Sequence, residues 1–294
     1  MTDLKTELAT IRAQLDIRLN QALPLPNDLT ARVIEAMRYS AIGGGKALRP
    51  FLILTTGRLL GVKEEDLWPI AVSLEMIHTY SLIHDDLPAM DNDSLRRGKP
   101  SNHIQFDEAT AILAGDALLT KAFELLSAPD WQIDDGKKCR LISLLSHYAG
   151  TQGMIGGQMI DLIGEKQSLN LSELKQMQRL KTGALLEFSC MAPCVLASCD
   201  SEKETALRRY AGCIGLLFQM TDDILDETGQ EALVGKTLGK DRKAKKTTFI
   251  SLFGLNKARE TARQLEEEAV KSVSVFGENN LLSAMAHYIL IREK

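Results

Sequence analysis

Apolar residues recur at three- and four-residue spacing along nearly the whole 294-residue chain, and no run of alternating β-branched residues bounded by tight turns interrupts them. A chain patterned in this way buries its apolar stripes by packing helix on helix, so the sequence reads as an all-α protein. A first amphipathic helix is expected over about residues 3–22. The segment PLPND then supplies two prolines and an N-cap, Asn27 or Asp28, for a second helix that glycines 43 to 45 end. Pro50 suits the first turn of a third helix closed by Gly61. Further helices are expected at about 65–87, 107–128, 136–163, 171–185, 186–199, 201–228, 241–254, 256–275 and 278–292. No long Pro/Ser linker, low-complexity tract or fixed-period repeat breaks the series, so one domain over residues 1–294 is the simplest organisation.

With 45% hydrophobic and 25% charged residues the chain has ordinary globular proportions. A formal net charge of -4 excludes a general nucleic-acid binder, which needs a basic face. Any anionic substrate must therefore be held locally. No stretch approaches the roughly 20 apolar residues of a membrane span, and the opening MTDLKTELATIRAQL alternates charge, so a cytoplasmic protein with no membrane span is expected. The five cysteines, Cys139, Cys190, Cys194, Cys199 and Cys213, include no CxxC pair and read as reduced thiols. Cys190 and Cys194 stand one helical turn apart, but within the apolar run SCMAPCVLASC they read as small buried residues before they read as metal ligands.

The segment HDDLPAMDND places Asp85, Asp86, Asp91 and Asp93 at the end of an apolar helix that Pro88 stops. Like charges this close are tolerated where water surrounds them or where a hard cation sits among them, and magnesium prefers oxygen ligands. Alone, the segment reads equally as a metal site or a solvated loop. The segment QMTDDILDETG puts Asp222 and Asp226 four residues apart on one helical face, with Asp223 beside them. Its neighbours Ile214, Leu216, Leu217, Phe218, Ile224 and Leu225 are apolar, and carboxylates in such a helix are costly unless partnered. Two clusters of this kind, more than a hundred residues apart and each ending a hydrophobic helical run, argue jointly for bound cations.

Basic residues follow both clusters: Arg96 and Arg97 the first; Lys236, Lys240, Arg242, Lys243, Lys245 and Lys246 the second. Such alternation fits a polyanion bridged by metal on one side and by Arg or Lys on the other. GGGKALRP, with Gly43, Gly44, Gly45, Lys46 and Arg49, lacks the spacer and the Ser or Thr of a P-loop, and suits a metal-free anion pocket better. Singly, the 236–246 run reads as a solvated face, and His78 and His84 as structural histidines.

Together these segments make the chain recognisable. GGGKALRP, EMIHTYSLIHDDLPAMDNDSLRRGKPSNH, AILAGDALL, GGQMIDL, KTGALL, QMTDDILD and GKTLGKDRKAKKT resemble, in order and spacing, the motifs of the trans-prenyltransferase (polyprenyl diphosphate synthase) family, and within it the bacterial farnesyl diphosphate synthases. The resemblance implies a single-domain antiparallel helical bundle around a deep central cavity, acting as a homodimer on isopentenyl diphosphate and allylic diphosphates. It implies Mg2+, three ions with substrate bound and replaceable by Mn2+, with Asp85, Asp91 and Asp222 as direct ligands and Asp86, Asp223 and Asp226 as supporting acids. Arg96, Lys181 and Lys236 match residues that grip the allylic diphosphate; Lys46, Arg49, His78 and Arg97 match the metal-free isopentenyl diphosphate pocket; Thr182 and Gln219 match polar groups near the reacting carbon. No nucleophile with its base is recognisable, as befits chemistry through a carbocation that such a group would trap.

Tyr80 lies five residues before Asp85, about 7.5 Å down a helix axis, and is either a core aromatic or the floor that limits the growing chain. By resemblance, an aromatic here together with the two extra residues of DDLPAMD implies a fifteen-carbon product; ten- and twenty-carbon products are the neighbouring alternatives. Ala47, Ser94 and Phe249 depart from the family's commoner basic, acidic and tyrosine residues, without removing a presumed ligand. A non-catalytic partner subunit would be expected to lose an acidic motif, and a terpene cyclase would not require the second anion pocket. Both motifs and the pocket residues are present here.

Overall fold

The structure is a computed structural model that describes residues 3–228 and 247–292. Helices α1 (Leu4–Ala22), α2 (Ala31–Ala41), α3 (Leu48–Leu59) and α4 (Glu64–Asp85) follow in order, and Pro50 falls in the first turn of α3 as expected. Gly61, at φ 74°, takes the left-handed conformation that closes the turn after α3. A hairpin of β1 (Leu95–Arg96) and β2 (Lys99–Pro100) comes next, with Leu95 paired to Pro100 and Arg96 to Lys99. These short strands are the only ones among the described residues, so the all-α expectation stands. The chain continues through α5 (Asn102–Gln105), α6 (Glu108–Leu126), α7 (Asp135–Ala149), α8 (Met154–Gly164), α9 (Leu171–Gln178), α10 (Ala184–Ala197) and α11 (Ser201–Thr228). After the undescribed stretch come α12 (Phe249–Phe253), α13 (Leu255–Ser272) and α14 (Leu281–Ile291).

The chain forms two compact units. The first holds the residues up to Leu54 and Val62–Ile142; the second holds Thr55–Gly61 and the described residues from Ser143 onward. In the first, α4 packs on α6, with α2 against α6 and α1 along α4. α4 is buried around its whole circumference, from Leu67, Trp68 and Ile70 to Ile77 and Tyr80. A helix that is apolar all round belongs in a core, and its N-terminus carries Glu64, Glu65 and Asp66, where the helix dipole favours negative charge. In the second unit α11 is the central element, flanked by α10, α13 and α14.

Two expectations change. The helix expected at 136–163 is interrupted: α7 ends at Ala149 and α8 begins at Met154, with Gly153 at φ -140° and ψ -131°, and glycine is required there because a Cβ would overlap the Tyr148 carbonyl. Conversely, Leu171–Ala197 is one continuous helical run, in which Arg179–Gly183 forms a widened π turn between α9 and α10. This run is long and apolar enough by composition to cross a membrane, against the expectation that no stretch would be, but 67% of its apolar window is buried inside the protein as a core helix is. Of the helix expected at 241–254, only Phe249–Phe253 falls among the described residues as helix.

Tyr210 of α11 is fully buried, and its hydroxyl donates to the Leu282 carbonyl at 2.7 Å, tying α11 to α14. The change Tyr210→Phe removes this buried hydrogen bond between the two helices. We expect it to lower unfolding stability by about 1–3 kcal/mol in urea titration, with the urea dependence unchanged.

Candidate active site

In the first unit the expected residues gather at the C-terminal end of α4. The helix ends as Asp86 N–H donates to the Leu82 carbonyl and Leu87 N–H to that of His84, and Pro88 cannot extend it. The chain then curls back, so that the Asp91 amide donates to the Asp85 carbonyl at 2.9 Å. Asp85 and Asp91 are thereby joined through the backbone, with Asp91 exposed and Asp85 partly so. Asp86 is 2% exposed and differs in kind. Arg96 Nε donates to its Oδ1 at 2.9 Å and to Oδ2 at 3.2 Å, and the terminal guanidinium nitrogen pairs with the same carboxylate. Burial pushes the Asp86 carboxyl up, and the Arg96 hydrogen bonds pull it back. Arg96 also lies 3.7 Å from Asp93.

The hairpin turn that follows has both central residues, Arg97 and Gly98, at positive φ, 54° and 76°, the geometry that matches the twist of paired strands. Arg97 accepts a conformation that glycine takes freely, and its guanidinium lies against Gly44 and Gly45. At Gly45 a Cβ would stand 2.7 Å from a terminal nitrogen of Arg97, and the residue bearing it would have to adopt φ 74°, a conformation that favours glycine. Gly43–Gly45, Asp86, Arg96, Arg97 and Lys99 line a cleft of about 250 Å³, together with apolar Leu82 and Ile83. Arg49 belongs to the same charged neighbourhood, with Glu75 and Arg97 near it. Its Nε is buried without a hydrogen-bond partner, and burial holds its pKa down to about 10. Lys46 is exposed on the glycine loop.

Tyr80 sits five residues back along α4, 6% exposed, with a buried hydroxyl that finds no partner among the described residues. Its ring meets that of His84 edge to face, with centroids 5.8 Å apart. His84 Nε2 is 3.1 Å from the Ile112 carbonyl, and Gly115 of α6 leaves room for its ring, since a Cβ there would overlap the imidazole.

The second unit brings its own set together. Gln219, Asp222, Asp223 and Asp226 lie at one- and two-turn spacing on α11. Arg292 donates to Asp222 Oδ1 at 2.7 Å, to the Thr221 hydroxyl and to the Phe218 carbonyl, and its guanidinium stacks 3.8 Å over the Phe218 ring. Asp223 accepts from the Phe249 amide at 3.2 Å. Lys181 and Thr182 occupy the π turn, where Lys181 Nζ reaches Asp161 Oδ2 of α8 at 2.7 Å. Glycines flank this turn: a Cβ at Gly157 would overlap the Lys181 backbone, and one at Gly215 would meet Gly183 Cα at 3.0 Å. Lys236 and the basic run after it lie outside the described residues. Sequence reading passed over four charged partners seen here: Arg12, Glu75, Asp161 and Arg292. Asp161, the acid of GGQMIDL, and Glu75, which opens EMIHTYSLIHDD, lay within recognised motifs; Arg12 and Arg292 carried no signal.

Chemically, the carboxylates are hard oxygen donors, and cations stand within reach in each unit. Among the described residues no three His, Cys, Asp or Glu side chains converge as a ready-made metal cage. That fits a small hard ion held by one or two carboxylates and completed by its ligand's oxygens.

Burial first, and then the charges of Arg49, Arg97 and Arg96, hold the His78 imidazole well below its ordinary value near 6.5. The unfolded chain takes up this proton where the folded protein does not. The contribution of His78 to stability is therefore full above the unfolded value and is lost as pH falls below it. Urea titrations between about pH 7 and pH 5 should show stability falling, and His78→Gln should flatten that fall.

A family model described as polyprenyl synthetase matches residues 30–280. The chain is 42% identical over its full length, and over all of the relative, to a farnesyl diphosphate synthase of Haemophilus influenzae. It is 45% identical to that of Escherichia coli, covering 94% of this chain and 95% of the relative. Among solved structures, a ligand-free FPP/GFPP synthase from Zymomonas mobilis superposes with a TM-score of 0.89 at 42% identity, covering 98% of this chain and 99% of the other.

Proposed function

Because the chain belongs to the polyprenyl synthetase family and is a prenyltransferase, we propose that it joins isopentenyl diphosphate head to tail with dimethylallyl and then geranyl diphosphate, releasing farnesyl diphosphate. Residues 1–294 act as one synthase domain, a reading supported by a family match that runs through both compact units. The enzyme is cytoplasmic and homodimeric in this reading. The observation that carries the proposal is the cleft at the end of α4, where the glycine loop, Arg96 and Arg97 make a cationic anion pocket beside the turn that joins Asp85 to Asp91.

Asp85, Asp91 and Asp222 would hold magnesium ions, with Mn2+ as a substitute, which when bound would neutralise the charge that grows on a leaving diphosphate. Asp86 cannot share that task while buried under Arg96; it holds the arginine in place. Asp223 and Asp226 support Asp222. Arg96, Lys181 and Lys236 grip the allylic diphosphate, and their attraction strengthens as its C–O bond breaks and both electrons pass to oxygen. Thr182 and Gln219 offer weak dipoles to the allylic cation. Lys46, Arg49, His78 and Arg97 hold isopentenyl diphosphate, whose double bond attacks the cation to form the new C–C bond. The released diphosphate then takes the proton that restores a double bond. A neutral His78 donates a hydrogen bond without adding charge, in keeping with its depressed pKa.

In this reading Tyr80 limits the growing chain beneath the Asp85 end of α4, its ring meeting that of His84 edge to face. A longer product is the second reading, favoured by the similarity to the FPP/GFPP synthase from Zymomonas mobilis.

Incubation with magnesium, labelled isopentenyl diphosphate and geranyl diphosphate should yield a fifteen-carbon product. Asp85→Ala should lower turnover by about a hundredfold or more. A twenty-carbon product from the parent would keep the mechanism and overturn the length; no turnover at all would favour a non-catalytic partner subunit. In a separate comparison, Tyr80→Ala should lengthen the product distribution, and an unchanged distribution would remove Tyr80 as the floor.

A further inference from the structure

The pocket that this reading gives to isopentenyl diphosphate is built around a carboxylate that no step of the reaction uses. Glu75 lies on α4 one turn before His78 and is 3% exposed. Arg12 of α1, itself largely buried, stands 3.6 Å from it. Arg12 also donates to the Gly44 carbonyl at 2.6 Å and pairs with Asp16 one turn further on, and Asp16 Oδ1 accepts from the Gly43 amide at 2.8 Å. The glycine loop is therefore clamped from below by the Arg12–Asp16 pair and from above by the Arg97 guanidinium that lies against Gly44 and Gly45. Arg49 and Arg97 are both within electrostatic reach of Glu75. Three guanidinium groups, Arg12, Arg49 and Arg97, thus share two carboxylates, Asp16 and Glu75. Two of these arginines, Arg12 and Arg49, carry a buried Nε with no partner among the described residues.

We infer that Glu75 is a positioning residue for the metal-free pocket: with Arg12, it holds the arginines and the glycine loop together so that one cationic charge remains for the incoming anion. The physical reason is that guanidinium groups gathered in one place repel one another, most strongly where they are largely buried as Arg12 is, and a shared carboxylate lets them stay close. Burial pushes the Glu75 carboxyl up and the three arginines draw it down, as expected of a group whose charge exists for its neighbours. Replacing the carboxylate with an amide removes the charge and turns NH2 donors toward groups that can only donate. The arginines then separate, and the anion must reassemble its own pocket on binding.

This inference depends on the assignment of Arg49, His78 and Arg97 to the isopentenyl diphosphate pocket, and the experiment separates the two. Steady-state kinetics would be run on Glu75→Gln, Glu75→Asp and Arg12→Gln, with Arg97→Gln as the test of the pocket itself. The expected result is a rise of about tenfold or more in KM for isopentenyl diphosphate in Glu75→Gln and Arg12→Gln. The KM for geranyl diphosphate should stay within about twofold and kcat within about threefold, with partial recovery in Glu75→Asp. If Arg97→Gln raises the isopentenyl diphosphate KM while Glu75→Gln leaves it unchanged or lowers it, the positioning role is overturned and the pocket stands. If Arg97→Gln has no effect, the pocket assignment fails, and the inference with it. A parallel rise in both KM values with a lowered Tm would make Glu75 merely structural and also overturn it. Should Glu75→Gln not fold, Arg12→Gln decides by the same criteria, since it cuts the clamp from α1.

Discussion

The middle of α4 is covered on every side, and a charge buried there must be answered by a specific partner. Its apolar residues from Leu67 to Ile77 occupy all faces of the helix, so Glu75 in its middle and Asp86 just past its end cannot turn to bulk water. Asp86 is answered by Arg96 from the β1–β2 hairpin, and Glu75 by Arg12 from α1. The hairpin and the first helix are thus held to α4 by charge as well as by apolar contact. Removing one member of such a pair leaves the other desolvated, which is why these positions are sensitive out of proportion to their size.

That arrangement also sorts carboxylates that look alike. Asp85 and Asp86 are chain neighbours, yet one sits at a solvent-facing turn joined to Asp91 and the other is sealed under a guanidinium. Asp86 is committed to Arg96 while Asp85 stands at the turn, and that contrast underlies the different roles proposed for them. The second unit repeats the principle differently. Asp222 is matched with Arg292 and Lys181 with Asp161, so each presumed binding group has a counter-charge within its own unit.

Backbone economy matters as much as charge. The close approaches at Gly44–Gly45, Gly157 and Gly215 place polar backbone or charged side chains where any Cβ would intrude. The π turn at Arg179–Gly183 lets a helix that is otherwise core present Lys181 and Thr182. Helix geometry is broken at the residues to which the proposed chemistry is assigned, and the flanking glycines permit the break.

Much of this was legible in the chain. Periodicity alone determined the all-helical class and most helix spans, because burying an apolar stripe leaves few alternatives. The two acidic motifs, GGGKALRP and LRRGKP stood out because charge in an apolar context is costly and so seldom accidental. The break at Gly150–Gly153, the π turn, the burial that separates Asp86 from Asp85, and the partners Arg12, Glu75 and Arg292 were decided only by tertiary structure. Each depends on which distant backbone or side chain comes within a few ångströms, and a one-dimensional pattern records that a residue is charged or small without recording what it must face.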